Sequence, residues 1–262
     1  MPDELTQAIE SATRLIVEST YVVALVGAGL SAESGIPTFR GPGGLWTRIG
    51  EPSMNGYQEF LADPSGWWKQ QQEQQADPDR SHFREAIEKA EPNAGHYALA
   101  ELEELGILKT TITQNVDNLH YVAGSKQVME IHGNRTKLRC IGCEARWNRN
   151  EFEIGESPPE CPECGGLVKS DTVMFGEPIP RSVLERCFDE VELCDCIIVV
   201  GTSATVYPAA SFPQTVKERG GLMIEFNPNE TPLSSMSDVA LRCPTGESLP
   251  GVVKRIKEVK GL

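Results

Sequence analysis

The sequence has no long hydrophobic run and few basic residues, and both absences narrow the class of protein. No stretch approaches the roughly 20 apolar residues that a membrane-spanning helix requires. Lysine and arginine together number 24 against 38 acidic residues, which gives a formal net charge of −14. Nucleic acids bind to basic surfaces, so we expect no direct contact with nucleic acid. The acidity is compatible with basic protein partners, and it is equally compatible with a role in solubility alone.

The amino terminus also lacks the basic residues that open a secretory signal peptide. Met1-Pro2-Asp3-Glu4 is acidic, so we expect a cytoplasmic protein with no membrane association. The 262 residues are enough for one large domain, or for one domain with a small module.

Four of the eight cysteines form two Cys-x-x-Cys pairs. Cys140 and Cys143 form the first pair, and Cys161 and Cys164 form the second. Such pairs place four thiolates about 2.3 Å from one zinc ion. Because four thiolates leave no open coordination position, we expect a structural zinc rather than a catalytic one. The alternative is four unrelated buried thiols.

Strand-like and helix-like runs alternate through the rest of the chain. The predicted strands are 21–26, 107–113, 196–201 and 222–226, and the predicted helices are 4–18, 92–105, 181–191, 209–220 and 249–259. Continuously apolar strands between helices predict an α/β fold with a parallel sheet covered on both faces.

Two insertions interrupt this alternation. Residues 45–90 are polar and predicted to be helical after Pro64, and residues 137–170 contain the paired cysteines. We expect them to form a small lobe beside a large domain made of residues 1–44, 91–136 and 171–262. Ligands of such folds bind where the strands end, so the cleft between the lobes is the expected site.

The first strand leads into Gly27-x-Gly29-x-x-Ala32, the dinucleotide-binding fingerprint. In this motif a pyrophosphate is bound by the free N–H groups that open a helix. Taken by itself, the motif is explained equally well by a tight turn that requires small residues. The glycines and prolines of residues 35–44 then predict a long loop over the cofactor, carrying Phe39 and Arg40. The alternative is an ordinary surface loop.

Polar residues follow three of the predicted strands. Gln114, Asn115 and Asp117 follow the strand at 107–113 and offer directed hydrogen bonds, although such residues also form simple turns. Gly201-Thr202-Ser203 and Asn227 follow the next two strands. Hydroxyl and amide groups at successive strand ends are suited to binding ribose and phosphate.

Only four histidines are available as a general base. His132 is favoured because Gly133 leaves its ring accessible and because imidazole titrates near neutral pH. His82 and His96 lie on predicted helices as surface or packing residues, and His120 is expected to be structural.

Together these motifs resemble the sirtuins, the NAD-dependent protein lysine deacylases, over nearly the whole chain. The shared motifs are Gly27-Ala28-Gly29-x-Ser31, Gly35-Ile36-Pro37-x-Phe39-Arg40, Thr113-Gln114-Asn115-x-Asp117, His132-Gly133, the four paired cysteines, Phe175-Gly176-Glu177, Gly201-Thr202-Ser203 and Asn227. The resemblance implies a Rossmann-like NAD domain, a small zinc-ribbon lobe, and NAD that is consumed as a co-substrate.

The resemblance also implies the reaction and the residues that carry it. The acyl oxygen of an acetyl-lysine peptide attacks the nicotinamide ribose, nicotinamide leaves, and His132 deprotonates a ribose hydroxyl that attacks the bound imidate. The products are free lysine, nicotinamide and O-acyl-ADP-ribose. Asn115 and Asp117 shape the nicotinamide pocket and complete the catalytic set. Phe39 shields the reactive carbon, and Arg40 contacts phosphate or ribose.

Cofactor and substrate contacts follow from the same motifs. The implied NAD contacts are Gly27, Ala28, Gly29, Ser31, Ala32, Ile36, Pro37, Phe39, Arg40, Gln114, Asn115, Asp117, Gly201, Thr202, Ser203, Asn227 and Thr245. The implied substrate contacts are Val173, Met174, Phe175, Gly176, Glu177 and Val206. Strand addition to Val173–Glu177 would allow many peptide sequences to bind.

The sequence differs from one group of sirtuins at the positions that determine which acyl group is preferred. Sirtuins that favour succinyl or malonyl lysine carry Tyr-x-x-Arg after an Asp-Pro step, and the Arg pairs with the acyl carboxylate. Aligned from Asp63-Pro64, these positions are Gln71 and Gln74 here. Glutamine cannot supply the charged bidentate contact of arginine, so we expect neutral acyl groups to be preferred.

Three other functions are compatible with parts of the sequence. Mono-ADP-ribosyl transfer or NAD hydrolysis would use the same NAD residues, but Val173–Glu177 favours an acyl-lysine site. A non-catalytic NAD sensor or scaffold would not need His132 or Asn115. A dehydrogenase is disfavoured by the broken loop and by the lack of a clear ribose-binding acid about 20 residues further on.

Overall fold

The structure is a computed structural model that describes residues 3–41, 43–74, 77–153, 155 and 157–262. Its strands are β1 (Val22–Val26), β2 (Leu108–Thr113), β3 (Val128–Glu130), β4 (Lys137–Cys140), β5 (Arg146–Asn148), β6 (Val168–Ser170), β7 (Cys196–Val200), β8 (Leu222–Phe226) and β9 (Val239–Leu241). Six of them form one sheet in the order β3-β2-β1-β7-β8-β9. Every neighbouring pair in that sheet is parallel.

Helices pack on both faces of this sheet. They are α1 (Glu4–Glu18), α2 (Ala28–Ala32), α3 (Leu45–Ile49), α4 (Gly56–Ala62), α5 (Pro64–Glu73), α6 (Pro78–Lys89), α7 (Ala94–Glu104), α8 (Leu119–Val122), α9 (Arg181–Leu193), α10 (Phe212–Glu218) and α11 (Thr245–Lys260). One core cluster joins the sheet to α1, α7 and α11, and a second joins it to α9 and α10. None of the described helices has the length and apolar character needed to span a membrane.

The central strands are apolar because both of their faces are buried. Every residue of β1 and of β7 is buried, which is the pattern expected of a parallel sheet covered by helices. The predicted α/β fold is confirmed. The helix predicted at 4–18 and the predicted strands lie where expected, to within one residue at each end.

A second, smaller sheet carries the paired cysteines. It is antiparallel, with strand order β5-β4-β6. Among the residues that the structure describes, its hydrophobic core consists of four buried residues, Leu138, Cys140, Cys161 and Val168, with Trp147 and Phe152 packed against them. Because this core is small, it contributes little hydrophobic stabilisation. The small sheet therefore needs a further source of stability, such as a bound metal ion.

The insertion at 45–90 contains α3 to α6 and contacts the segment between β5 and β6. Two of these helices precede Pro64, so the helical part starts earlier than predicted. The side chains of Trp68 and Gln72 both donate hydrogen bonds to the Gly155 carbonyl, at 3.1 and 2.8 Å. Helix α5 is therefore joined to the cysteine-bearing part of the chain.

Two predicted helix boundaries were wrong, and two short strands were missed. A 3-10 turn at Ala209–Ser211 precedes α10, whose second residue is Pro213, instead of one continuous helix. Helix α11 begins at Thr245 and includes Pro250, although the prediction began at 249. Strands β3 and β9 have three residues each, too short to show a clear periodicity.

Candidate active site and metal centre

Two glycines of the fingerprint allow the loops after β1 and β7 to pack together. The Gly29 N–H donates to the Gly201 carbonyl at 2.7 Å. A Cβ atom on Gly27 would lie 2.6 Å from Thr202 Cβ, and one on Gly29 would lie 2.7 Å from the Gly201 oxygen. Larger residues at either position would separate the loops, so the glycines are needed for the structure of this edge.

A hydrogen-bonded chain joins the fingerprint to the polar loop after β2. Asn115 Nδ2 donates to the Gly27 carbonyl and to Ser31 Oγ, both at 3.0 Å. Ser31 Oγ in turn donates to Asp117 Oδ2 at 2.7 Å. Asn115 and Ser31 are buried, so these side chains have fixed positions at the sheet edge.

A second set of hydrogen bonds connects the ends of β2, β7 and β8. Gln114 Nε2 donates to Thr202 Oγ1 at 2.9 Å, and Asn227 Nδ2 donates to the Thr202 carbonyl at 3.3 Å. Ser203 is exposed, with its hydroxyl 3.2 Å from that of Thr205. Polar residues from four strand ends are thus brought to one edge of the sheet.

His132 adjoins the same site. Its Nδ1 lies 3.3 Å from the Gln114 carbonyl, a contact that requires the proton on Nδ1 and leaves the Nε2 lone pair free. Burial lowers the pKa of His132 below its usual 6.5, and the contact with Gln114 opposes that shift. The ring is therefore neutral at pH 7 and able to accept a proton.

The loop after α2 is linked to the segment Val173–Glu177 through aromatic rings. Phe39 lies 4.9 Å from Trp46 and 5.5 Å from Phe83, measured between ring centroids. Trp46 lies 5.4 Å from Phe175. Arg40 is exposed, pairs with Glu51 at 2.9 Å and lies over the Trp46 ring, so its guanidinium is engaged within the loop.

Two further residues of the predicted NAD set are engaged in packing or in internal hydrogen bonds. Ile36 is buried in a small cluster with Leu119 and Ile87. The Thr245 N–H donates to Glu33 Oε1 at 2.7 Å, and Thr245 is itself buried. Of the remaining residues in that set, Ala28 and Pro37 are half-buried and Ala32 is exposed.

The segment Val173–Glu177 is held from two sides. The Val173 N–H donates to the His132 carbonyl at 2.9 Å, and the Tyr57 N–H of α4 donates to the Phe175 carbonyl at 3.1 Å. Gln58 Nε2 donates to the Gly176 carbonyl at 3.3 Å. Val206 is half-buried, and its carbonyl accepts the Ala210 N–H at 3.0 Å.

Sequence reasoning missed Glu33, Asn93 and the pairing of two histidines. Asn93 caps α7 and donates to the Leu30 carbonyl at 2.8 Å, and a polar residue before a helix was the available signal.

The rings of His96 and His120 lie 5.2 Å apart in the core beneath the site. Burial, together with the neighbouring His120, lowers the pKa of His96 to about 3, and burial lowers that of His120 to about 4.

The four paired cysteines form one cluster. Their sulfur atoms all lie within 4.8 Å of one another, with Cys140 to Cys164 at 3.5 Å and Cys143 to Cys161 at 3.6 Å. Thiolates around a tetrahedral zinc ion would be about 3.8 Å apart, given zinc–sulfur distances of about 2.3 Å. The cluster fits a structural zinc ion.

Fold and site together define an α/β nucleotide-binding protein with a small structural-metal lobe. The sequence profile of the Sir2 family matches residues 27–208. The NAD-dependent protein deacylase 1 of Archaeoglobus fulgidus is 46% identical over 254 residues, which cover 95% of this chain and 98% of that protein. The chain therefore belongs to the Sir2 family, which confirms the resemblance predicted from its motifs.

Solved structures show the same relationship across nearly the whole chain. A Sir2 homologue in complex with NAD has a TM-score of 0.78 at 44% identity, covering 95% of this chain and 94% of that one. A Sir2 protein solved with a p53 peptide and NAD+ has a TM-score of 0.74 at 31% identity, covering 97% and 98%.

Proposed function

We propose that this protein removes acyl groups from lysine side chains of other proteins and consumes NAD in doing so, with release of nicotinamide and O-acyl-ADP-ribose. The reaction class, NAD-dependent protein deacylation, is established by membership of the Sir2 family and by curated relatives at 40% to 46% identity. The observation that carries the assignment of residues is the hydrogen-bonded edge formed by Gly27, Ser31, Asn115 and Asp117, with His132 beside it.

The polar edge of the sheet supplies the contacts that NAD needs. The positive end of the α2 dipole suits the pyrophosphate, and Thr202 and Asn227 offer polar groups for ribose and phosphate. Asn115 and Asp117 line the nicotinamide pocket in this proposal. NAD, as co-substrate, supplies the ADP-ribose to which the acyl group is transferred.

His132 acts as the general base. Because its pKa is lowered by burial, the ring is uncharged at neutral pH, and Nε2 can accept the proton of a ribose hydroxyl. The Gln114 carbonyl holds the other ring nitrogen and thereby orients the imidazole. Asn115 and Asp117 position the reacting groups without transferring a proton themselves.

The substrate is an acetylated lysine in a protein or peptide. We assign its backbone to contacts with Val173–Glu177, with Val206 contributing from the loop after β7. The aromatic contact between Trp46 and Phe175 supports this arrangement, since it brings the cofactor loop beside the peptide segment. Nucleic acid is no part of the proposal, given the net charge of −14.

Residues 45–90 and 137–170 together form the small lobe in this proposal. The hydrogen bonds from Trp68 and Gln72 to Gly155 support it, because they join the two insertions.

We place the protein in the cytoplasm. A cysteine cluster suited to zinc, with no disulfide recorded, favours a reducing compartment.

The test is incubation of the purified protein with an acetyl-lysine peptide, with and without NAD, while peptide mass and nicotinamide are followed. We expect loss of the acetyl group only with NAD, matched by an equal amount of nicotinamide. Nicotinamide release from an unchanged peptide would favour NAD hydrolysis, and mass gain on a protein would favour ADP-ribosyl transfer. Absence of any reaction would contradict the proposal.

A further inference from the structure

A buried ion cluster connects the cysteine-bearing sheet to the segment Val173–Glu177. Arg139 on β4 pairs with Glu177 at 2.6 Å, and Lys169 on β6 pairs with the other carboxylate oxygen at 2.9 Å. Lys169 is fully buried, and the side chains of Arg139 and Glu177 are only 5% and 2% exposed. We call Arg139, Lys169 and Glu177 the Glu177 clamp.

The clamp fixes the backbone of the segment as well as its side chains. Glu177 Oε2 accepts the Met174 N–H at 2.8 Å, and the Glu177 N–H donates to the Met174 carbonyl at 3.1 Å. These two contacts close a turn across Phe175 and Gly176. The carboxylate of Glu177 is therefore used within the protein, and its role toward a peptide is indirect.

Lys169 also holds the residues that lead into the segment. Its ammonium group donates to the Ser170 and Thr172 carbonyls, both at 2.8 Å, in addition to Glu177. All three N–H donors of the ammonium group are used. Two of these donors hold backbone carbonyls and the third holds the Glu177 carboxylate, so the buried amine favours one conformation of residues 170–177.

The same cluster reaches the catalytic histidine through Asp171. Arg139 Nε contacts Asp171 Oδ1 at 3.1 Å, and Asp171 Oδ2 accepts the Asn134 N–H at 2.9 Å. Asn134 lies two residues after His132, and the His132 carbonyl accepts the Val173 N–H at 2.9 Å. Strand β4, which carries Cys140, is thus connected both to Val173–Glu177 and to the residues that follow His132.

We propose that Lys169 and Arg139 are positioning residues for the acyl-lysine peptide, acting through Glu177 on the backbone of Val173–Glu177. This inference rests on the proposed function. It assigns to the cysteine-bearing sheet an indirect part in peptide binding: β4 and β6 present two buried cations that hold the segment that the peptide contacts. None of the residues assigned to NAD belongs to the clamp, so we expect NAD binding to be independent of it.

The experiment compares Lys169→Met with Lys137→Met in the full chain. Lys137 is the matched control, since it lies on β4 and pairs with Glu130 at 3.0 Å but does not contact Glu177. We expect Lys169→Met to raise the KM for an acetyl-lysine peptide roughly tenfold, with the KM for NAD nearly unchanged. Lys137→Met is expected to change neither. Zinc content and thermal unfolding are measured on every variant.

A double-mutant cycle with Glu177→Gln tests whether the two residues act through one contact. We expect Lys169→Met combined with Glu177→Gln to raise the peptide KM no further than the larger single effect. If Lys169→Met fails to fold, Glu177→Gln alone carries the test, because it keeps the side-chain volume and removes the charge.

Three results would overturn the inference. They are an unchanged peptide KM in a folded, zinc-containing Lys169→Met, an equal rise in the KM for NAD, and an equal effect of Lys137→Met. A loss confined to kcat belongs to the first of these results, because the peptide KM is then unchanged. These results differ from failure of the proposed function, in which the unmodified protein itself would not deacetylate the peptide.

Discussion

Single residues at the sheet edge combine packing with chemistry. Asn115 and Ser31 are buried and hydrogen-bonded to each other, and both belong to the proposed NAD site. Such positions tolerate little substitution, because a smaller or apolar side chain leaves buried polar partners without hydrogen bonds. Their positions are therefore fixed before a ligand binds, which lowers the cost of ordering the site.

His132→Ala is expected to abolish deacylation while binding of a non-reactive NAD analogue persists. Burial lowers the pKa of His132, so the neutral base predominates at pH 7 and is lost as the pH falls through a value below 6.5. The acid limb of kcat/KM should lie below that value. Retained turnover in the variant, or an acid limb centred above 6.5, would show that another group is the base.

Gly133→Ala is expected to destabilise the protein strongly. Gly133 has φ +77°, and a Cβ atom there would lie 2.0 Å from the Asp171 carbonyl oxygen. Gly106 has φ +70° with no atom within 4 Å of its Cβ position, so Gly106→Ala is the matched control. We expect a loss of about 1 kcal/mol for the control and more than about 3 kcal/mol for Gly133→Ala, by urea unfolding. Equal losses would contradict the steric argument.

We expect the acyl preference to depend on Gln71, which lies on α5, and on Gln74, the C-cap of that helix. We expect acetyl-lysine peptides to be turned over much faster than succinyl-lysine peptides, because no arginine stands at either position. The measurement is kcat/KM for two peptides that differ only in the acyl group. Equal values would refute the expectation, and Gln74→Arg should shift the ratio toward the succinyl peptide.

At the scale of elements, the two sheets differ in what stabilises them. The large sheet is covered on both faces by helices and has two extensive apolar clusters. The sheet of β4, β5 and β6 has four buried apolar core residues in the described part of the chain, two of them cysteines. Apolar burial is enough to stabilise the large sheet, whereas the small sheet needs its metal ion to stay folded.

Removal of zinc by a chelator is expected to unfold the β5-β4-β6 sheet while the large sheet persists. Hydrogen exchange should show loss of protection in residues 137–170 and retention in β1 and β7, and deacylation should stop. Cys143→Ser should reproduce the effect, whereas Cys243→Ser, outside the cluster, should leave zinc content unchanged. Full activity after verified zinc loss would contradict a structural role for the ion.

At the scale of the whole molecule, folding places two neutral histidines in one core. His96 and His120 are almost completely buried, and neither ring nitrogen of His120 has a hydrogen-bond partner among the described residues. Protonation of either ring would leave a charge without solvation. A lower pH should therefore reduce the free energy of unfolding of the entire large domain.

The free energy of unfolding is expected to fall as the pH drops from 6.5 toward 4. The native pKa values of about 3 for His96 and about 4 for His120 lie below the unfolded value of 6.5. The unfolded chain thus binds more protons in this range, and each histidine contributes up to about 1.4 kcal/mol per pH unit. Urea unfolding at several pH values measures the slope. His120→Asn should reduce it, and an unchanged slope would contradict the assignment.

The sequence alone determined the features that depend on local composition. Apolar runs predicted β1 and β7, the cysteine spacing predicted the four-sulfur cluster, and the ordered motifs identified the Sir2 family. These features are readable because burial and ligand geometry impose short, regular patterns of residue types.

Only the tertiary structure decided the features that depend on distant partners. Helix α11 begins at Thr245 because the carboxylate of Glu33 accepts its first N–H groups, so the proline inside it did not set the start. Glu177 belongs to a buried ion cluster because β4 and β6 bring Arg139 and Lys169 to it. Such partners lie between 8 and 213 residues apart, and no local pattern records which of the chain's charges folding will bring together.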